Sequence, residues 1–444
     1  MYEKVISLIQ EKKYKEIRDF LNELNGPDVT EILNELPERE LLITFRLLQK
    51  DLAVDVFARL APNKQEEIIS KTSDKEMKEI INNLFFDDMV DLVEEMPANV
   101  VKKILSNVNP KDRQMVNQFL RYPKDSAGSI MTIEYVDFKR TYNVKRALLD
   151  IKQTGLEKET IYTNYVINES RKLEGIVSLK DLVISDDDET IENIMSTDVI
   201  YVYTDEDQET VANLFKKYDF LALPVVDREE RLVGIITVDD IIDVIDEETT
   251  EDFYKMAAIS PTTDEYLATK PTQLAKHRLT WLLVLMISAT FTGFIIRHYE
   301  NALSTTVVLA AFIPMLMDTS GNAGSQTSTI IIRSLALGEV KVKDAFKVMF
   351  KEFEVSIIVG VILSAVNFVR VLLIERLSIQ IAAVVSITLL ITIIMAKLIG
   401  SILPIIASKL KLDPATMSGP IITTIVDALS LLIYFQLATM ILGV

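Results

Sequence analysis

From Leu279 onward, apolar runs long enough to cross a bilayer alternate with short charged stretches, and that leaves few folds open. Residues 279–296 are 18 uncharged, mostly apolar positions, sufficient for a spanning helix at about 1.5 Å rise per residue. Residues 301–332 hold one charge, Asp318; 377–408 hold one, Lys397; 414–444 hold one, Asp427; and 355–374 are broken only by Arg370. The pattern predicts five spans, near 278–297, 303–333, 350–374, 379–408 and 415–443. In that arrangement Lys276, Arg278, Arg333, Lys341, Lys343, Lys347, Lys351, Lys409 and Lys411 share one side, and only Arg297, Arg370 and Arg376 lie on the other. Cytoplasmic loops carry the Lys/Arg excess. The N-terminal half is therefore expected in the cytoplasm and the C-terminus outside a cell (inner) membrane crossed several times.

The preceding part is strongly acidic. Residues 1–270 carry 34 Lys+Arg against 56 Asp+Glu, a balance of −22, whereas residues 271–444 carry 13 against 9, or +4. An acidic soluble half is a poor match for nucleic acid, because phosphate neutralisation needs clustered Lys and Arg. There is no cysteine, so disulfides, thiolate nucleophiles and Cys-based zinc sites are excluded. The two histidines, His277 and His298, flank an apolar run. With no phosphate loop or nucleophile–base pair either, an enzyme is not expected. The opening residues read as a charged amphipathic helix without the apolar centre of a signal peptide.

Two spans carry unusual content. The second breaks at Pro314 and continues Met-Leu-Met-Asp-Thr-Ser-Gly-Asn-Ala-Gly-Ser-Gln-Thr-Ser-Thr over 315–329. Such a face suits a water-filled pathway with Asn322 on it, or close helix packing through Gly321, Ala323 and Gly324. In the fifth, Ser418-Gly419-Pro420-Ile-Ile-Thr423-Thr424-Ile-Val-Asp427 places Thr423, Thr424 and Asp427 on one helical face. A mid-span carboxylate costs about 2.5–3.5 kcal/mol on insertion scales. It is expected to face a cavity, or else to pair with Lys397. Oxygen ligands from Asp, Thr, Asn and backbone carbonyls select hard cations. The residues by themselves lead to a divalent cation pathway without distinguishing Mg²⁺ from Ca²⁺ or Mn²⁺.

Residues 125–250 contain a tandem repeat. Arg171-Lys-Leu-Glu-Gly175-Ile-Val-Ser178-Leu-Lys-Asp181 returns as Glu230-Arg-Leu-Val-Gly234-Ile-Ile-Thr237-Val-Asp-Asp240, with the glycines 59 residues apart. Each unit opens alike, at Ile130-Met131-Thr132 and Ile194-Met195-Ser196. This resembles the CBS-domain pair, in which Ser178 or Thr237 would cap a helix with Asp at its third position. The resemblance implies an adenine nucleotide, ATP or another, at Thr237 and Asp240. Residues 239–252 hold eight carboxylates and no basic residue. As a helix they would repel one another, so the segment reads either as a solvated linker or as a helix neutralised by divalent cations. Residues 1–124 read as short amphipathic helices, a helical superhelix punctuated at Pro37, Pro62, Pro97 and Pro110. Its acidic face carries Asp87, Asp88, Asp91, Glu94 and Glu95.

The whole chain resembles the MgtE magnesium channels. The carriers are residues 314–326 with Arg333, the stretch 413–427 from Asp413-Pro414-Ala415 to Asp427, Tyr122-Pro-x-Asp-Ser-Ala-Gly-Ser-Ile-Met-Thr132, and the run from Tyr218-Asp219-Phe220 to Asp240. The resemblance implies a multidomain α-helical membrane protein. It would have a helical superhelix N domain (1–124), an α/β CBS-domain pair (125–250, as 125–189 and 190–250), a connecting plug helix region (251–276) and a five-span transmembrane helical domain (277–444). It further implies a homodimer in the lipid bilayer, with a Mg²⁺ pore from spans two and five of both subunits. Asp427 would hold hydrated Mg²⁺, with Thr423 and Asn322 beside it. Asp88, Asp91, Asp207, Glu209, Asp219, Asp240, Glu248, Glu251, Asp252 and Asp413 would bind regulatory Mg²⁺, closing the pore through the helix near 241–258. Asp318 and Lys397 are charged where the family pattern is small or neutral, and Gly419 stands where asparagine can appear. A Na⁺- or H⁺-coupled divalent cation exchanger, with Asp318 as the driving-ion site, is the alternative. A nucleotide sensor merely anchored by its spans is a weaker one.

Overall fold

Proline and polar turns cut the first 120 residues into ten short helices: α1 (Tyr2–Gln10), α2 (Tyr14–Leu21), α3 (Gly26–Glu35), α4 (Glu38–Phe45), α5 (Lys50–Ala58), α6 (Pro62–Lys71), α7 (Asp74–Ile81), α8 (Phe86–Glu95), α9 (Ala98–Asn107) and α10 (Pro110–Phe119). Pro37 and Pro97 stand at the N-caps of α4 and α9, and Pro62 and Pro110 open α6 and α10, where a missing N–H costs nothing. Ser73 and Glu76 form a capping box on α7. Helices two apart stack on one another (α3 on α5, α4 on α6, α5 on α7, α7 on α9), which is the superhelix expected from the sequence. The computed structural model describes residues 1–262, 266, 267, 269–417 and 419–443, so Ser418 and part of the 251–276 region lie outside it. The chain divides into two units, Met1–Ile245 and Asp246–Val444.

The tandem repeat folds into two matching three-stranded sheets. The first joins β1 (Asp137–Phe138), β2 (Thr163–Ile167) and β3 (Leu173–Ser178); the second joins β4 (Val202–Tyr203), β5 (Ala222–Val226) and β6 (Leu232–Thr237). In each, the first pair is parallel and the second antiparallel, and the register repeats, Val166 opposite Gly175 and Val225 opposite Gly234. Helices α11 (Val144–Thr154), α12 (Leu179–Ile184), α13 (Ile191–Ile194) and α14 (Gln208–Tyr218) cover them. The repeats exchange their openings: Thr132 bonds both ways with Ile235, and Ser196 with Ile176. This crossing explains the repeated glycine. A Cβ on Gly234 would lie 2.7 Å from the Thr132 carbonyl oxygen, and one on Gly175 would lie 2.9 Å from that of Ser196. One apolar core runs from Val5 through α8 to Val244.

Helix α15 (Val238–Met256) takes in the acidic segment 239–252. After it come α16 (Pro271–His298), α17 (Glu300–Thr305), α18 (Ile313–Ala336), α19 (Ala345–Leu373), α20 (Ile379–Lys409) and α21 (Gly419–Leu442). Five stretches are long and apolar enough to cross a membrane: Pro271–His298, Val307–Ala336, Val342–Leu373, Ile379–Lys409 and Gly419–Leu442. Helices α18, α20 and α21 pack against one another. A Cβ on Gly400 of α20 would stand 2.3 Å from the Gly324 carbonyl oxygen, so these two backbones touch. Lys397 of α20 is buried between them. Its Nζ donates to Thr327 Oγ1 (3.2 Å), Thr327 donates to Glu352 Oε2 (2.9 Å), and the ammonium lies 3.9 Å from that carboxylate. Lys397 therefore pairs with Glu352 of α19, and the alternative pairing with Asp427 is set aside.

Candidate cation pathway and acidic sites

Helices α18 and α21 meet along small residues. Ser320 and Ser430 hydroxyls lie 2.9 Å apart, and Ser328 donates to the Met417 carbonyl at 2.9 Å. Gly321 sits against Thr423 and Asp427: a Cβ there would be 3.0 Å from Thr423 Cγ2 and 3.7 Å from Asp427 Oδ1. That Asp427 oxygen is buried and has no hydrogen-bond partner, an arrangement that costs free energy unless a cation or water satisfies it. The Thr423 and Thr424 hydroxyls both donate to the Pro420 carbonyl (3.0 and 2.9 Å), leaving their oxygens as acceptors only. Asn322 lies on the uncovered side of α18, where Ser325, Gln326, Thr329 and Ile330 join it around an open recess. Asp427 and Thr423 are thus brought to one seam. Asn322 opens beside that seam with no bond to Asp427 among the described residues.

In the Met1–Ile245 unit, carboxylates gather along the acidic edge of α8. Carboxylate oxygens of Asp87, Glu134 and Glu159 lie within 4.8 Å of one another. Glu134 accepts from the Phe86 N–H at the start of α8 (3.1 Å), which fixes this first repeat against the helix. Burial, reinforced by neighbouring carboxylates, pushes Asp87 up to about 7, Asp88 to about 6, Asp240 to about 7 and Glu159 to about 8. Asp91, on the exposed edge of α8, moves in the same direction. The fold therefore gathers Asp88, Asp91 and Asp240 and adds Asp87, Glu134 and Glu159. Glu134 and Glu159 carry no motif, and only the docking of the first repeat on α8 brings them in.

These shifts set a sign. Folded-state values above the ordinary carboxylate range mean that the packed form holds more protons than the unfolded chain. Their contribution is fully present below about pH 4 and is lost as pH rises through 6 to 8. In chelator, the thermal midpoint for unfolding of the Met1–Ile245 unit in the intact protein is expected to fall between about pH 6 and pH 8.5, and saturating Mg²⁺ to cancel the fall. A midpoint that rises or stays level over that range in chelator would refute it.

The other acidic residues are placed differently. Asp207 caps α14, accepting from the Glu209 and Thr210 N–H groups (3.0 and 3.4 Å), and Asp219 ends the same helix in the left-handed region. The eleven residues of α14 lie between Asp207 and Asp219, a rise of roughly 18 Å over twelve steps, so one ion cannot bridge those two within one chain. Glu248 lies on α15 about one turn before Glu251 and Asp252. Lys255 at the end of α15 binds both Glu251 (2.6 Å) and Asp413 (2.7 Å), while Asp413 also caps the turn after it through the Ala415 N–H. Burial and Asp413 push Asp252 up to about 6. Lys255, three residues past the acidic run, is the partner that sequence reading passed over. Thr237 is buried and donates to Asp240 at 2.7 Å, and Ser178 repeats this with Asp181 at 2.6 Å.

Comparison with known proteins follows this division. Three family models match: "Divalent cation transporter" (MgtE) over residues 313–437, "MgtE intracellular N domain" over 27–125, and "CBS domain" over 191–247. The chain is 37% identical to the magnesium transporter MgtE of Bacillus subtilis, covering 98% of this chain and 96% of the relative. It is 36% identical to that of Thermus thermophilus, covering 98% and 97%. Among solved structures, the cytosolic domain of the Mg²⁺ channel MgtE in complex with ATP superposes with a TM-score of 0.53 at 35% identity, covering 55% of this chain and all of that one. The soluble part of a magnesium transporter gives 0.52 at 30% identity, covering 56% and 97%. The chain is a multi-pass membrane protein, and it belongs to the MgtE family of divalent cation transporters.

Proposed function

We propose that this protein is a Mg²⁺ channel that carries magnesium into the cell and is closed by Mg²⁺ on its cytoplasmic side. The observation that carries the pathway is the buried, unpartnered Asp427 oxygen at the α18–α21 seam. Relatives alike over nearly their whole length are magnesium transporters, which supports Mg²⁺ as the cargo. A hydrated ion held by one or two carboxylates suits Mg²⁺, which dehydrates reluctantly. The uncovered polar side of α18 supports a second copy completing the pathway, because lipid would leave Asn322, Gln326 and Thr329 unsatisfied. A homodimer with cytoplasmic N-termini and outer C-termini satisfies both this and the Lys/Arg distribution.

Closure is a linkage effect: Mg²⁺ shifts the gate through its greater affinity for the packed acidic sites. Asp87, Asp88, Asp91, Glu134, Glu159 and Asp240 form one such site. Glu248, Glu251, Asp252 and Asp413 form another at the end of α15, the plug region. Asp207, Glu209 and Asp219 would serve only across the dimer. The ATP complex of the relative supports an adenine nucleotide on the CBS pair at Thr237 and Asp240. Its contacts there would compete with the bond those two side chains already share.

Lys255 already does part of what the ion would do. Replacing it with Met removes the bridge from Glu251 to Asp413, and the Mg²⁺ concentration that closes the channel is expected to rise about threefold to tenfold, since even fully exposed pairs are worth about 0.2–1 kcal/mol each and these two are half-buried. Patch recording across a Mg²⁺ titration reads this directly, and an unchanged closing concentration would remove Lys255 from the gate.

The function itself is tested by Mg²⁺ uptake into liposomes of purified protein with no other ion gradient. Uptake under those conditions is expected. If uptake begins only when a Na⁺ or H⁺ gradient is imposed, the protein is a coupled exchanger.

A further inference from the structure

Helix α18 leaves one stripe uncovered, with Pro314, Asp318, Asn322, Gln326, Thr329 and Arg333 recurring every three or four residues. Asp318 is exposed on it and has no ion-pair partner among the described residues. A carboxylate so placed cannot face lipid cheaply. Its position relative to the seam is set by its neighbours. Gly321, three residues on, touches Thr423 and Asp427, and Ser320 meets Ser430. Helices α18 and α21 therefore run side by side in opposite directions, and three residues advance about 4.5 Å. Asp318 thus stands about one helical turn beyond Asp427, toward the start of α18.

We propose that Asp318 is a second carboxylate of the cation pathway, which concentrates a hydrated divalent cation one helical turn from Asp427. The inference rests on the pathway reading above. A second negative charge along a polar pathway raises the local concentration of the ion without needing to dehydrate it. Its loss acts mainly where the ion is scarce.

The experiment is Mg²⁺ uptake by the full-length protein in liposomes as a function of Mg²⁺ concentration. Asp318→Asn is expected to raise the half-saturating concentration about threefold to tenfold, with a smaller fall in saturating flux. The chain contains no cysteine, so Asp318→Cys offers a single thiol that can be charged after the protein has folded. An anionic sulfonatoethyl methanethiosulfonate should bring half-saturation back toward wild type, and its cationic trimethylammonium counterpart should raise it further. Wild-type behaviour of Asp318→Asn, equal effects of the two reagents, or a thiol that neither reagent reaches would each overturn the proposal. Asp427→Ala in the same membranes separates the two levels. If it retains flux, the pathway reading fails; if it loses flux while the Asp318 variants match wild type, only the second carboxylate fails.

Discussion

Alanine in place of Asp427 is expected to reduce Mg²⁺ flux by about 100-fold or more, while the purified protein keeps its fold. At 4 Å and an effective dielectric near 20, a carboxylate is worth about 4 kcal/mol to each unit of cation charge, and a divalent ion feels it twice. Dehydration and competing water take back much of that sum, but about 2.7 kcal/mol surviving already gives two orders of magnitude. The fold should be kept because Asp427 Oδ1 makes no bond in the folded chain. Removing it even relieves a buried unpaired acceptor. Liposome uptake with a size-exclusion profile of each variant makes the comparison. Undiminished flux in Asp427→Ala would move the pathway off the α18–α21 seam.

Lys397→Met should do the opposite, damaging the fold more than the flux chemistry. Its ammonium is buried, and it is linked through Thr327 to Glu352 across α18, α19 and α20. Methionine fills the same volume but strands the Glu352 carboxylate. Breaking one side of a buried pair costs about 3–5 kcal/mol, whereas replacing both sides is often neutral. The expected result is a large drop in the thermal midpoint in detergent for Lys397→Met, recovered for the most part by adding Glu352→Gln. A double variant as unstable as the single one would show that the ammonium packs by its methylenes alone and that the pair contributes nothing.

Much of this architecture was legible before folding. Five apolar runs can be read because a bilayer imposes a length and an absence of charge on each span. The paired sheets can be read because the two units repeat at 59 residues with the same glycine and the same Ser/Thr–Asp cap, both demanded by local geometry. Asp427 stood out because a mid-span carboxylate is costly wherever it points.

What could not be read was which groups meet. Lys397 had carboxylates on several helices as conceivable partners, and only the packing of α19 on α20 selected Glu352. Asp88 and Asp240 are 152 positions apart, and Glu134 and Glu159 carry no spacing that ties them to α8. Lys255 carries no motif, and only the turn before α21 places Asp413 beside it. Periodicity, capping and insertion cost act between residues a few positions apart, so the sequence by itself determined the spans, the repeat and the mid-span carboxylate Asp427. Charge pairing acts through space over a few ångströms, so the acidic cluster, the Lys397–Glu352 pair and the place of Asp318 one turn from Asp427 were decided only by the tertiary structure.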